Sequence, residues 1–327
     1  MAVLLSVAVG SVLIPPNTLV SMLFARLPGA NISESWPEAF SVILFQIRLP
    51  HTALVTLTGA ALAGSGAAYQ GLFRNPLADP YLIGVASGAG LGAVLAMASP
   101  LSTQYLGLFT IPAAAFIGAL LTVGTVYFLA RSGGQIPTTT LILAGVAVGS
   151  FASALTSFLM LRSQGELRRA IAWLLGGFSI GGWEPVWAVL PYVLIGLVIL
   201  CISGHSLNVL QFGDDQAQQL GISVERTKLI LIAAASLVTA AAVSFSGIIG
   251  FVGLIVPHLA RILWGPDYRR LIPLSILGGA TVLLIADLLA RVIMAPEALP
   301  VGVLTALAGA PFFLWVLRRS RGAQLGY

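Results

Sequence analysis

Asp287 and Arg291 stand four residues apart in the segment ADLLAR, an acid ahead of a base at the spacing that sets both on one helix face. A carboxylate inside an apolar stretch can carry a proton or a sodium ion across a membrane, so the pair is a candidate for ion coupling. The competing reading is a structural ion pair near the outer end of a helix. It is favoured, because no second acid in an apolar stretch continues a relay. The three histidines, His51, His205 and His258, are far apart and not at metal-ligand spacing, and HExxH, CxxC and GxSxG patterns do not occur. No catalytic residue and no metal site is therefore expected. His258 and Arg261, three apart in VPHLAR, read as structural about as readily as functional. A phosphate loop, GxxxxGK[ST], needs a lysine, and the only lysine is Lys228 in ERTKLI. No cofactor is expected on this chain. If it takes part in ATP-driven transport, another polypeptide supplies the ATPase.

The elements that must position these residues follow from composition. Only 8% of the 327 residues are charged and 58% are hydrophobic, with a mean hydropathy of +0.99. A soluble protein needs roughly a quarter of its residues charged to cover its surface, so lipid must surround most of this chain. Apolar stretches recur at about 2–25, 52–73, 81–98, 106–130, 138–161, 186–204, 229–249, 273–293 and 301–317, with a shorter one at 248–264 that contains Pro257. Most are near the ~20 residues a helix needs to cross a bilayer. The expectation is an all-α, polytopic membrane protein of ten helices, the eighth short, forming one transmembrane domain over 1–327. The opening MAVLLSVAVGSVLI lacks a basic flank and a small-residue cleavage site and is read as the first membrane helix. The single cysteine, Cys201, cannot form an internal disulfide. The 36 glycines and 18 prolines suit close helix packing and broken helices of a transporter type.

With the N-terminus inside, ten cationic residues fall on the cytoplasmic side and six outside, a positive-inside bias that places both termini in the cytoplasm. A basic stripe interleaved with aromatics is absent, so nucleic acid is not an expected partner. The outer six are Arg26, Arg48, Arg162, Arg168, Arg169 and Arg291, three of them clustered in LRSQGELRRA. That cluster would meet either an acidic protein surface or lipid headgroups. Two segments echo each other: Ser65 to Pro76 and Ser246 to Pro257 share Ser-Gly, nine residues, then Pro, and LAGV at Leu143 recurs as LAGA at Leu307. Five helices separate the copies, so they would run in opposite directions, the inverted repeat of many transporters.

One segment does not belong in lipid. GDDQAQQLGISVERTK, Gly213 to Lys228, is polar and falls on the cytoplasmic side. Asp214 and Asp215 suit a helix start and Gly221 a helix stop, with a second short turn through ISVERTK. A pair of short helices fixed to spans on both sides could serve as a rigid contact for a soluble motor domain. The bland alternative is a solvated connector.

The segments QIRLPHT, GAALAGSGAAYQGLFRNPLADPYLIGV, LILAGVA, WLLGGF, QLGIS, GFVGLIVPHLAR, ADLLAR and LPVGVLTALAGAPFFLWVL occur in one order along nearly the whole chain. Together they resemble the FecCD-type permeases of ABC importers for iron–siderophore complexes, haem and cobalamin. The resemblance implies a cell (inner or cytoplasmic) membrane subunit that pairs with a second copy of itself. It also implies two ATP-binding subunits below, using ATP and Mg, and a periplasmic or lipoprotein substrate-binding protein above. By the same resemblance the segment at about 213–223, with Asp214, Asp215, Ala217, Gln218, Leu220 and Gly221, looks like the ATPase coupling helix. Asn75, Leu77, Thr138 and Thr139 match the cytoplasmic gate. Arg48 and Arg291 match arginines that dock the binding protein. His51 stands where the cobalamin importer has another arginine, which weakens one docking charge and tilts the expectation towards siderophore or haem. Arg162, Arg168 and Arg169 are substitutes for it.

Overall fold

The computed structural model describes residues 1–9, 14–26, 36–99, 107–162, 166–178, 180–295 and 299–324. Among the described residues the architecture is helical throughout, apart from a tight turn closed by Ser132 and Gln135. Six of the helices among the described residues are long and apolar enough to cross a bilayer, the shortest having 19 residues. At 1.5 Å per residue that reaches about 28 Å, close to the hydrocarbon thickness.

A short helix α1 (Ala2–Ala8) is followed by α2 (Pro16–Ala25) and α3 (Glu38–Val42). The latter continues through a π-helical stretch, Ile43–Arg48, into the long α4 (Leu49–Leu72). Then come α5 (Val85–Ala98), α6 (Thr110–Ala130), α7 (Thr138–Arg162), α8 (Leu167–Leu174), α9 (Glu184–Ile202), α10 (Gly204–Leu210) and α11 (Asp214–Gln219). The chain ends with α12 (Val224–Ser246), α13 (Val252–Trp264), α14 (Tyr268–Ile293) and α15 (Val301–Gln324). The expected spans from the second to the tenth are α4, α5, α6, α7, α9, α12, α13, α14 and α15, and the eighth, α13, is short and carries Pro257 as expected.

Three expectations need correction. The stretch 2–25 is not one crossing helix: α1 has seven residues, and seven residues reach only about 10 Å. Residues 10–13 of that stretch lie outside the described residues, and Pro15 and Pro16 start a new helix at α2. The second short turn through ISVERTK is not separate either, because Val224 already begins α12. The short partner of α11 is instead α10, on its N-terminal side. Finally, the Ser65 and Ser246 echoes adopt different structures. Ser65 lies inside α4, whereas α12 ends at Ser246 and the chain restarts as a helix at Val252.

The repeat is visible in the helices themselves. Lengths of 24, 14, 21 and 25 residues for α4 to α7 are followed, after α9, by 23, 13, 26 and 24 for α12 to α15. Gly145 of α7 packs on the backbone of Leu82 and Ile83, just before α5, while Gly309 of α15 packs on Phe251, just before α13. Both glycines belong to the LAG echo, so that pair, unlike the serine pair, marks corresponding places.

Small residues hold the bundle together. Lipid supplies no hydrophobic drive between helices, so packing depends on close backbone approach and on hydrogen bonds. A Cβ on Gly59 would collide with the carbonyl of Gly279 on α14, and one on Gly66 with the carbonyl of Gly253 on α13. The centre is α12, whose most apolar window is 78% buried, against 22% for α7. Thr239 of α12 donates to Ser65 Oγ at 2.9 Å, and Tyr69 shares a 2.8 Å hydrogen bond with Ser236.

Candidate functional site

Functional candidates gather at the two ends of the bundle. The first end is built on the turn after α4. That helix closes with the Arg74 N–H bonded to Gly71 O and the Asn75 N–H to Gln70 O, the two bonds of a Schellman motif. The motif wants a left-handed residue, normally glycine, and Arg74 fills it at φ 50°. The arginine side chain reaches Asp214 Oδ1 at 3.0 Å. Asn75 Oδ1 accepts from the Leu77 N–H at 2.9 Å and fixes the turn that follows.

Asp214 opens α11, and its other oxygen meets Lys228 Nζ at 2.6 Å. Lys228 is only 3% exposed and also donates to Ile136 O at 3.2 Å, with Glu225 Oε1 at 3.5 Å. Glu225 Oε2 in turn accepts from the Ile136 N–H at 2.8 Å. Thr138 and Thr139 lie in the first turn of α7, two and three residues beyond Ile136, with Thr139 exposed. The expected coupling segment and the two expected gate pairs are thus joined through Arg74, Lys228 and Ile136. Lys228 is the residue that sequence reasoning missed as part of this site.

The C-terminal end of α11 is formed as the sequence suggests. Ile222 N–H bonds Ala217 O and Gly221 N–H bonds Gln218 O, a second Schellman motif, with Gly221 left-handed at φ 86°. Ala217 is fully buried and anchors the helix, while Asp215 and Gln218 are exposed and Leu220 is 64% exposed at the tip.

At the opposite end Asp287, 4% exposed, is enclosed by two partners. Arg291 Nε stands 2.9 Å from Oδ2, and His51 Nε2 lies 2.9 and 3.0 Å from the two oxygens. The favoured reading of Asp287 and Arg291 as an ion pair holds, and His51 is its unforeseen third member. Arg291 also donates to Ser6 Oγ at 2.9 Å, which ties α1 to this end. Arg48 is buried and donates to the carbonyls of Val7 and Ala8 at 2.9 and 3.1 Å. The two arginines expected to face a docking protein are therefore engaged within the chain. Arg169 lines one cavity of about 330 Å³ with His51, Asp287 and Arg291. Arg168 is exposed on α8 and Arg162 is exposed at the end of α7, and neither lines that cavity. Among the described residues no group of three His, Cys, Asp or Glu side chains is placed to hold a metal.

A model of the FecCD transport family matches residues 1–319. This chain belongs to that family. As a FecCD chain with six helices fit to cross a bilayer, it is a multi-pass membrane protein. Its relatives include the cobalamin import system permease protein BtuC of Halobacterium salinarum, 50% identical over 86% of this chain and 75% of that one. The hemin transport system permease protein HmuU of Yersinia pestis is 41% identical over 90% of this chain and 88% of its own length. In structure the chain is similar to a metal-chelate type ABC transporter in an inward-facing conformation, with a TM-score of 0.78 and 31% identity over 92% of this chain and 96% of that one. The tilt towards siderophore or haem, drawn from His51, gains no support from these likenesses. The cobalamin permease shares more identity with this FecCD chain than the hemin permease does.

Proposed function

We propose that this chain, acting as one permease domain, is the membrane-spanning subunit of an ABC importer that carries a metal chelate, cobalamin and haem included, across the cytoplasmic membrane. Two copies form the pathway, and both sides of the alternating-access cycle are driven by ATP and Mg on separate ATPase subunits. The permease itself performs no catalysis. The observation that carries this reading is the mount of α11. A six-residue polar helix with an exposed Leu220 at its tip is clamped to buried Lys228 and to the end of α4, which a flexible connector would not require.

The pairing of two copies is supported by α7. Thr139, Ser150, Ser153 and Ser157 recur at helical spacing and are all exposed in the single chain, on a helix otherwise apolar enough to span. Polar side chains at that depth belong against another protein or a water-filled path. The same face makes Thr138 and Thr139, with Asn75 and Leu77, the proposed gate on the cytoplasmic side. At the outer end the cavity beside Arg169 and Arg291 is the proposed seat for an acidic group of a periplasmic or lipoprotein binding protein. The exposed Arg162 and Arg168 add long-range attraction.

The experiment is gentle extraction of the tagged chain from its native membrane, followed by identification of what accompanies it. Two copies of the chain with a stoichiometric subunit carrying a Walker motif, and ATP-dependent uptake of cobalamin, haem or a ferric siderophore by the reconstituted complex, are expected. Repeated recovery without any ATPase would overturn the reading.

A further inference from the structure

We propose that Lys228 is a pin that makes the α11 segment and the entry of α7 move as one body, so that motion delivered to α11 reaches the gate helix directly. The proposal deepens the importer reading and rests on it for its functional consequence.

Acceptors from α11, from the turn before α7 and from α12 itself meet at one ammonium group on α12, the Ile136 carbonyl lying 92 residues away in sequence and Asp214 lying 14. Asp214 represents α11, Ile136 represents the turn that feeds α7, and Glu225 represents the first turn of α12. A lysine has three N–H donors and no acceptor, so one acceptor from each segment uses its full capacity. Ile136 is held twice, through its carbonyl by Lys228 and through its N–H by Glu225, and its side chain is buried. The residue two positions before Thr138 is therefore fixed in place.

Gln135 and Pro137 of the turn share a cleft of about 440 Å³ with Asp215 and Gln218 of α11, and Lys228 forms part of its wall. The link across that cleft is polar and passes through a side chain that water scarcely reaches, since Lys228 is 3% exposed while Asp214 and Glu225 are 40% and 37% exposed. Arg74 adds a second hold on Asp214 from the end of α4, but it does not reach α7. Lys228 is in this sense a positioning residue: it touches no substrate and acts through Ile136 and Asp214.

The test places spin labels at Gln219 of α11 and Thr140 of α7, both exposed, in the full chain with the single cysteine changed by Cys201→Ala. Distances are read with Lys228 present, in Lys228→Met and in Lys228→Arg, each without nucleotide and with trapped ATP in the complex. Methionine keeps the apolar stem in its slot and removes the donors. With lysine or arginine, a narrow distance distribution that is the same in both nucleotide states is expected. In Lys228→Met it should broaden without nucleotide, and chelate uptake per ATP hydrolysed should fall about tenfold, within the usual range of coupling between sites. A methionine variant as narrow as the parent, or a parent whose distance changes with nucleotide, would overturn the pin. If Lys228→Met cannot be purified, Asp214→Asn at a part-exposed side chain gives the same readout, and an unchanged width there refutes the proposal equally. Should no ATPase accompany the chain, the importer reading fails, while the nucleotide-free distances still decide the pin.

Discussion

Arg74 offers a sharp check on the geometry of the α11 end, because two substitutions remove the same ion pair but differ in backbone freedom. Its φ of 50° places a non-glycine residue in the left-handed region, which costs about 1–2 kcal/mol relative to a right-handed conformation and costs glycine little. The ion pair to Asp214 is part-exposed, 37% on the arginine and 40% on the aspartate. Screened pairs of that kind contribute about 0–1 kcal/mol. Arg74→Ala loses the pair and keeps the backbone cost. Arg74→Gly loses the pair and the backbone cost, but loosens the unfolded chain by about 0.4–1 kcal/mol. The pair cancels in the comparison, and glycine should be the more stable variant by about 0.5–1 kcal/mol. For a chain of this size that is roughly 1 °C in the midpoint of thermal unfolding. Tryptophan fluorescence of the detergent-solubilised chain can read it, each variant measured beside the parent. An alanine variant as stable as the glycine variant, or more so, would refute the argument that the Schellman turn forces Arg74 left-handed.

Other expectations test the exposed tip of α11, the buried acid and the cap of α14. Leu220→Glu should leave the thermal midpoint close to that of the parent, since the side chain is 64% exposed and touches no core. It should abolish co-purification of the ATPase, and recovery at the parental yield would remove Leu220 from the contact. Asp287→Asn breaks a buried charge pair and should lower stability by about 3 kcal/mol. Uptake by the parent should persist when a protonophore collapses the proton gradient at constant ATP, and its loss would return Asp287 to a coupling role. Asp267 caps α14 outside the spans, and the Asn208 side chain, then the Arg269 N–H, hold its carboxyl below the ordinary range. A lowered folded-state value means a contribution present above the ordinary carboxylate range and lost as the pH falls through it. Asp267→Asn should therefore flatten the acid-side decline of the thermal midpoint below about pH 4, and an unchanged decline would show that the cap carries no such term.

Much of the fold was legible because lipid imposes a simple rule. A helix must satisfy its own backbone and be long enough to cross, so runs such as 106–130 and 229–249 announce themselves. The first stretch failed for the same reason that it looked convincing. Hydropathy alone joins Ala2 to Ala25, but Pro15 and Pro16 mark a helix start inside it, and a reading by local turn chemistry would have cut there. The echo at Ser65 and Ser246 misled through matching letters at a convenient spacing. The true correspondence, Gly145 with Gly309, depends on what each glycine packs against, and no single sequence displays that contact.

The sites divide along a similar line. Gly221 could be placed in advance because a left-handed helix stop is a local requirement and glycine meets it locally. Arg74 could not, since the turn it completes wants glycine by the same rule, and the arginine makes sense only when Asp214, 140 residues away, is beside it. His51 at Asp287, 236 residues away, is of that kind too. Lys228 was in plain view as the only lysine of the chain, noted for the phosphate loop it does not make. Its rarity was the available signal. The single ammonium of the chain lies buried where α11, the turn before α7 and α12 meet, with a donor for the acceptor each one offers.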